Sequence, residues 1–139
     1  MPELFADPIR LPGSEETITF RRITAKTFRM GARGKFPDEE PIHRVVIAED
    51  YYLGEFPVTQ AQFAAWTETE DYAAWFRENA EIMRETSSGK VAEPHSNHFA
   101  GRPTHPAENV TWWEARGFAE WLNRSGALPP GWRADLPTE

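Results

Sequence analysis

Two threonines that precede aromatic-rich segments constrain the fold most, because each predicts where a helix begins. Thr59 is followed three residues later by Gln62, and Thr111 is followed three residues later by Glu114. In this spacing, called a capping box, the hydroxyl and the longer side chain satisfy free backbone N–H groups of the first helical turn. The sequence therefore predicts one helix that opens at Thr59 and another that runs from Thr111 to about Arg124.

Apolar residues at helical spacing predict which faces of these helices are buried. Phe63 and Trp66 lie three residues apart and are expected to face the core. Asp71 is predicted to cap a further helix over about residues 72–85, and Gly126 is predicted to stop the last helix. The other residues expected on inner faces are Tyr72, Trp75, Phe76 and Met83, then Trp112, Ala115, Phe118, Ala119, Trp121 and Leu122. Trp113 and Trp132 fit these stripes poorly.

The remaining chain reads as short strands and long loops, which favours a single, loop-rich α+β domain. Residues 17–23 alternate with strand period, placing Ile18, Phe20 and Arg22 on one face. Further extended pieces are predicted over 28–31, 43–48 and 51–54. Residues 1–16 are expected to be an irregular lead-in, and 31–41 and 89–109 are expected to be loops. A loop as long as the last one is usually functional or mobile.

Composition excludes several classes of function. The chain has 139 residues and no cysteine, which removes disulfides and thiolate chemistry and suits the cytoplasm. The formal net charge is −7 and the basic residues read as scattered, so nucleic-acid binding is not expected. No apolar run reaches the roughly 20 residues of a membrane span, and no signal peptide is visible. The sequence therefore predicts a cytoplasmic protein with no role in membranes.

The histidines and acidic runs could hold metal ions, and each has a simpler reading. His95 and His98 are three residues apart, but Pro94 and the loop composition favour solvated side chains. His43 and His105 are expected to hydrogen-bond backbone groups. The acidic runs at 38–40 and 68–71 lack the alternating pattern of a calcium loop. No catalytic or metal-binding residue is therefore predicted, and the phosphate-binding, hydrolase and zinc-protease motifs are also absent from the sequence.

Five motifs in order resemble the formylglycine-generating enzyme family, also called the sulfatase-modifying factor family. Residues 28–31, Phe-Arg-Met-Gly, resemble the F-x-M-G opening, and residues 40–45 resemble the E-x-P-x-H-x-V strand with one residue fewer. Residues 57–63, Pro-Val-Thr-Gln-Ala-Gln-Phe, resemble the V-T-N-x-Q-F/Y helix start. Residues 105–106 and 110–115 resemble the H-P-V-x-x-V-S-W-x-D-A block, and residues 136–139 resemble the start of R-L-P-T-E-A-E-W-E.

The resemblance implies an irregular fold related to C-type lectins, with residues 17–139 forming the N-terminal portion of the family domain. The L-P-T-E run ends with Thr138 and Glu139, a helix-start signal, so the domain is expected to be truncated. The resemblance also places the copper-binding cysteine pair and the calcium sites of true enzymes beyond residue 139. Copper or calcium is therefore expected only if another portion supplies it. Gln60 replaces the usual Asn, and Asp135 stands where Arg usually precedes L-P-T-E.

Three functional hypotheses follow from the intact motif order and the missing cysteines. The leading one is a non-catalytic scaffold or binding module, completed by a partner protein or by a second copy of the chain. Its expected interface comprises Trp112, Trp113, Leu136 and Pro137. The alternative is the scaffold half of a split copper-dependent oxidase whose cysteines lie on another fragment. In the third, the short chain folds and acts alone.

Overall fold

A computed structural model describes residues 8–86, 93–97 and 99–137. In these ranges, short antiparallel strand pairs come first along the chain and three α-helices come after them. The predicted α+β class is therefore confirmed. The strands are β1 (Ile9–Arg10), β2 (Thr17–Ile18), β3 (Phe20–Ile23), β4 (Lys26–Met30), β5 (His43–Ile47) and β6 (Tyr51–Gly54). The helices are α1 (Gln60–Thr67), α2 (Glu70–Thr86) and α3 (Trp112–Ser125), and a short 3-10 turn covers Pro37–Glu39. No helix in the described ranges is long and apolar enough to cross a membrane.

The predicted strand over residues 17–23 is divided between two sheets. Its first part, β2, pairs with β1, and its second part, β3, pairs with β6. The chain switches partners at Thr19, whose carbonyl accepts a hydrogen bond from the Glu55 N–H at 2.9 Å. Leu11, next to β1, is only 1% exposed and belongs to the core. Within the predicted irregular lead-in, residues 9–10 therefore form a strand, because they pair with β2.

The core is an aromatic cluster centred on Trp66 of α1, which is fully buried. Its ring lies 5.8 Å from Phe63, 4.9 Å from Tyr72, 5.1 Å from Trp75 and 6.3 Å from Phe118, measured between centroids, with the planes steeply inclined. Edge-to-face contacts of this kind stabilise aromatic pairs beyond their buried area. All three helices contribute to the cluster, so the predicted inner faces of α1 and α2 are confirmed.

Helix α2 begins one residue before the predicted cap. The Thr69 hydroxyl accepts a hydrogen bond from the Tyr72 N–H at 3.3 Å, and the Thr69 carbonyl accepts one from the Ala73 N–H at 3.2 Å. Asp71 lies within the first turn as an exposed acid. The prediction that Asp71 caps the helix is wrong, because Thr69 already satisfies the N–H groups that a cap serves.

Outside the core, Asp50 connects two segments in the first half of the chain through hydrogen bonds. Its carboxylate accepts hydrogen bonds from the Ala25 N–H at 2.7 Å and from the Arg22 Nε at 3.0 Å. These two contacts, the backbone bond first, hold the pKa of Asp50 below its ordinary value. The turn after β5 is thereby fastened to β3 and to the start of β4.

Gly117 of α3 allows two rings of the core cluster to lie close to the helix backbone. A Cβ atom at this position would lie 2.7 Å from Trp66 and 2.7 Å from Trp75. In an exposed helix, replacing glycine by alanine stabilises by about 1 kcal/mol. Here we expect Gly117→Ala to destabilise by about 1–3 kcal/mol, because buried rings on two sides leave the methyl group no space. Urea unfolding followed by tryptophan fluorescence measures this change, and an increase in the free energy of unfolding would contradict it.

The lowered pKa of Asp50 predicts how the stability of the fold changes at acid pH. Because the folded state lowers its pKa, this group contributes stability above the ordinary Asp value of roughly 3.9. That contribution is lost as the pH falls through the lower, folded-state pKa. Asp50→Asn should therefore flatten the fall in melting temperature below about pH 4, while Glu49→Gln, which removes the neighbouring exposed carboxylate, should leave it unchanged. Thermal melts across the acid range test this, and equal profiles for both variants would disprove it.

Candidate functional site

The first candidate site is the exposed start of α3, where two tryptophans predicted to bind a partner lie side by side. Trp112 is 54% exposed, and its ring meets the edge of Trp113 at 4.7 Å. The Arg116 guanidinium lies 5.3 Å from the centre of the Trp112 ring. Trp113 is half-buried and packs against the core. The prediction that Trp112 faces inward is wrong, because the next residue, Trp113, takes the inward position at this helix end.

The other two predicted interface residues lie near the far end of the same helix. Asn123 holds Ala134 through both backbone groups, donating to its carbonyl at 2.9 Å and accepting from its N–H at 2.7 Å. Leu136 follows as a half-buried residue and Pro137 as an exposed one. Asn123 is ten residues beyond Trp113, which is about 15 Å along a helix. A partner role for all four residues stays a prediction, and a single partner would need to extend along α3 to contact them together.

The second candidate site is a polar network around Glu114, which is only 3% exposed. One carboxylate oxygen accepts hydrogen bonds from the N–H and hydroxyl of Thr111, each at 3.1 Å. The other accepts from the Tyr72 hydroxyl at 2.9 Å. The predicted capping box is confirmed, and its acid also ties α3 to α2. A buried carboxylate is tolerated when hydrogen bonds satisfy it in this way.

The Tyr72 hydroxyl continues this network into the loop before α3. It accepts a hydrogen bond from the His95 N–H at 2.8 Å while it donates to Glu114. Burial raises the pKa of Tyr72 above its ordinary value, and the adjacent carboxylate of Glu114 adds to the rise. The phenol is thus held neutral, which makes it a structural donor rather than a base.

His95 is packed against the helices, not solvated as the sequence predicted. Its Nε2 donates to the Glu108 carbonyl at 2.8 Å, and its ring lies 4.7 Å from Phe63 in an edge contact. His98, the other half of the proposed metal pair, lies outside the described residues. Among the residues that the structure describes, no three His, Asp or Glu side chains are grouped as metal ligands.

The remaining motif histidines contact backbone groups near the surface. The His43 ring lies 3.0 Å from the Pro41 carbonyl, through Nδ1, as expected of a backbone-binding histidine, although both residues are exposed. His105 contributes its main chain, whose carbonyl accepts from the Gln60 N–H at 2.8 Å.

Gln60, the first residue of α1, also holds the loop before α3, a role that the sequence did not indicate. Its side chain is 7% exposed; it donates to the Phe99 carbonyl at 3.0 Å and accepts from the Arg102 N–H at 3.2 Å. The sequence marked Gln60 as a departure from the family motif, and its position directly after a capping threonine was the available signal. An amide that both donates and accepts can bind two backbone groups at once.

Two polar side chains of the loop also make hydrogen bonds to backbone groups within the loop. A Glu108 carboxylate oxygen accepts from the Phe99 N–H, and the Asn97 side-chain oxygen accepts from the Glu108 N–H at 3.0 Å. With His95, Gln60 and Tyr72, these contacts hold the described parts of residues 93–109 against α1 and α2. The loop predicted from proline and histidine content is confirmed as lacking helix or strand there, yet it is extensively hydrogen-bonded.

Substitution of Tyr72 tests the hydrogen-bond network around Glu114. We expect Tyr72→Phe to lower the free energy of unfolding by about 1–3 kcal/mol, because Glu114 loses a donor and the His95 N–H loses its acceptor. The raised pKa means that the tyrosine contributes full stability below its ordinary pKa of roughly 10, and that this is lost as the pH rises further. The variant should therefore also flatten the alkaline loss of stability.

The measurement is urea unfolding at neutral and alkaline pH, with Tyr51→Phe as the matched control. Tyr51 is 40% exposed, and its substitution should change neither quantity appreciably. Equal effects of the two variants would show that the buried hydroxyl has no special role.

Comparison with known proteins agrees with this architecture. Residues 12–139 match the family model described as Sulfatase-modifying factor enzyme 1-like domain. The chain is 31% identical over 93 residues to the serine/threonine-protein kinase pkn1 of Chlamydia pneumoniae, an alignment that covers 63% of this chain and 14% of that kinase. It is 29% identical over 108 residues to pkn1 of Chlamydia caviae, covering 73% of this chain and 16% of the kinase.

The chain thus spans less than a fifth of the length of these two curated relatives. The family match, in contrast, extends over nearly all of its own length. The resemblance predicted from the ordered motifs is confirmed: the chain belongs to the sulfatase-modifying factor enzyme 1-like family.

Proposed function

We propose that this chain is a non-catalytic binding module of the family. The observation that carries the proposal is the absence of cysteine from all 139 residues. The family resemblance places the copper site of the true enzymes on a pair of cysteines, and Cu(I) favours such soft thiolate ligands. Any catalysis of that kind would need cysteines from another polypeptide segment.

The hydrogen bonds between the helices and the loop before α3 support the proposal. The side chains of Tyr72 and Gln60 join the loop to the helices. Glu114 holds Tyr72, and the His95 side chain binds the Glu108 carbonyl within the loop. Each is engaged with a backbone group or with another member of the network. An acid or base in catalysis must instead be free to reach a substrate atom. These residues therefore serve best as supports for a displayed loop.

The exposed aromatic surface is the natural place for a partner. Trp112 presents more than half of its side chain to solvent, and Arg116 lies against its ring. Tryptophan and arginine are enriched among residues that dominate binding energy at protein interfaces. We propose that the start of α3, extended by Leu136 and Pro137, contacts a partner chain or a second copy that completes a C-type-lectin-like domain.

The relatives are consistent with a module that accompanies other domains. In both, the similar segment is a small part of a much longer protein named as a serine/threonine-protein kinase. We propose a comparable binding role for this segment, and we propose a cytoplasmic location because a cysteine-free chain needs no oxidising compartment.

Size-exclusion chromatography with multi-angle light scattering tests the proposal on the purified chain over a range of concentrations. We expect self-association at the surface around Trp112. The same preparation, loaded with Cu(I), should leave a peptide containing a Cys-x-Pro-x-Arg sequence unmodified in mass spectrometry. A monomer at every concentration would oppose completion by a second copy, and aldehyde formation by this chain alone would overturn the non-catalytic assignment.

Substitution of the exposed tryptophan makes the interface prediction specific. We expect Trp112→Ser to raise the dissociation constant of self-association by at least about tenfold, the loss of about 1.4 kcal/mol. Phe56→Ser removes a more accessible aromatic, 73% exposed, from the segment between β6 and α1, and should have little effect. Sedimentation equilibrium measures both constants. Similar losses from the two variants would indicate nonspecific apolar association.

A further inference from the structure

A basic stretch lies in the first half of this acidic chain. Residues 17–37 contain no aspartate or glutamate, although the chain as a whole carries a net charge of −7. The six basic residues of the stretch are Arg21, Arg22, Lys26, Arg29, Arg33 and Lys35. The basic residues are therefore not scattered evenly, as the sequence first suggested, and the strands determine which of them share a surface.

The antiparallel ribbon formed by β4 and β5 places one of these residues opposite a later arginine. Arg29 is the direct partner of Arg44, and Thr27 is the direct partner of Val46. Because side chains alternate between the faces of a strand, these four lie on one face of the ribbon. All four are exposed, and Val46 is 62% exposed. The opposite face carries Phe28, Val45 and Ile47, which are half-buried.

Two arginines directly opposite each other on a ribbon repel, and such pairs are destabilising. Five other arginines, Arg10, Arg21, Arg22, Arg84 and Arg116, each pair with a carboxylate. Within the described ranges no such ion pair involves Arg29 or Arg44. No ion pair among the described residues therefore offsets the repulsion, which is a reason to look for a ligand that does.

We propose that this face of the β4–β5 ribbon binds an extended acidic segment of a partner polypeptide. The Arg29–Arg44 pair and the Thr27–Val46 pair are two residues apart along each strand, about 7 Å. An extended peptide repeats its side chains with the same period. A carboxylate can thus meet the two guanidinium groups while an apolar side chain two positions away covers Val46. Arginine presents a planar fork that suits carboxylates.

The net charge favours an acidic protein segment over nucleic acid. A short acidic segment needs to neutralise only the two arginines. A nucleic acid presents closely spaced phosphates along its whole length and would meet the acidic remainder of the chain. The acidic residues 38–40 lie in the loop that connects the two strands of the ribbon, which further disfavours a long polyanion. This inference rests on the proposed binding function and names the chemistry of one ligand.

Fluorescence anisotropy tests the proposal with a short labelled peptide of alternating glutamate and valine, flanked by glycine and serine. We expect the intact chain to bind it, and to bind the matched glutamine–valine peptide at least about tenfold more weakly. Added salt should weaken the glutamate complex, because the charges are exposed. Equal binding of the two peptides, or no binding of either, would overturn the proposal.

Two double variants identify the surface. Arg29→Gln with Arg44→Gln should reduce affinity for the glutamate peptide at least about tenfold, while the melting temperature holds or rises because repulsion is relieved. Arg77→Gln with Arg124→Gln removes the same charge from exposed helix positions and should bind as the intact chain does. Equal losses from both double variants would overturn the assignment of this face.

Reversing the charge of the two arginines gives a second test of the same surface, independent of the glutamine variants. Arg29→Glu with Arg44→Glu should transfer preference to a lysine–valine peptide. Tighter binding of a single-stranded oligonucleotide, lost in the same variant, would overturn the proposal in favour of nucleic acid. If peptide binding fails while Trp112-dependent self-association persists, the inference about the ribbon fails and the binding function proposed for α3 stands.

Discussion

The fold depends on the burial of one tryptophan among the rings of three helices. Trp66 has no exposed surface, and Phe63, Tyr72, Trp75 and Phe118 surround it. Aromatic side chains bury large areas, so a few of them can supply the core of a chain with short strands and long loops. The Trp66 indole nitrogen has no hydrogen-bond partner among the described residues, an exception to the rule that buried polar atoms are paired. The helices can approach this ring only because α3 presents a glycine, Gly117, at the point of contact.

Around this apolar centre, a small number of polar groups convert helix ends into supports for a loop. Glu114 satisfies the cap of α3, ties that helix to Tyr72 of α2, and through the tyrosine holds the backbone of His95. Gln60, at the start of α1, holds the later part of the same loop. Because each group is buried or half-buried, an unmade bond would leave a polar atom without water, and the network is correspondingly specific. The result is a loop fixed in place without regular secondary structure.

The two surfaces with functional interest lie outside this framework and differ in chemistry. The start of α3 offers an exposed tryptophan stacked with an arginine, whereas the β4–β5 ribbon offers paired arginines beside an exposed valine. Neither surface contributes to the core cluster apart from the half-buried Trp113. A binding module can vary such surfaces without disturbing its fold, which is how one scaffold serves many partners.

Capping, periodicity and motif order are local properties, so the helix starts at Thr59 and Thr111, the α+β class and the family could be predicted from the sequence. Features that depend on contacts between distant residues became known from the tertiary structure. It divided the strand over residues 17–23 between two sheets and turned Trp112 outward. It packed His95 against Phe63, and it placed Arg29 opposite Arg44. A local pattern states what a side chain prefers, but neighbours far along the chain supply the pairing, the buried space and the hydrogen bonds that decide where it lies.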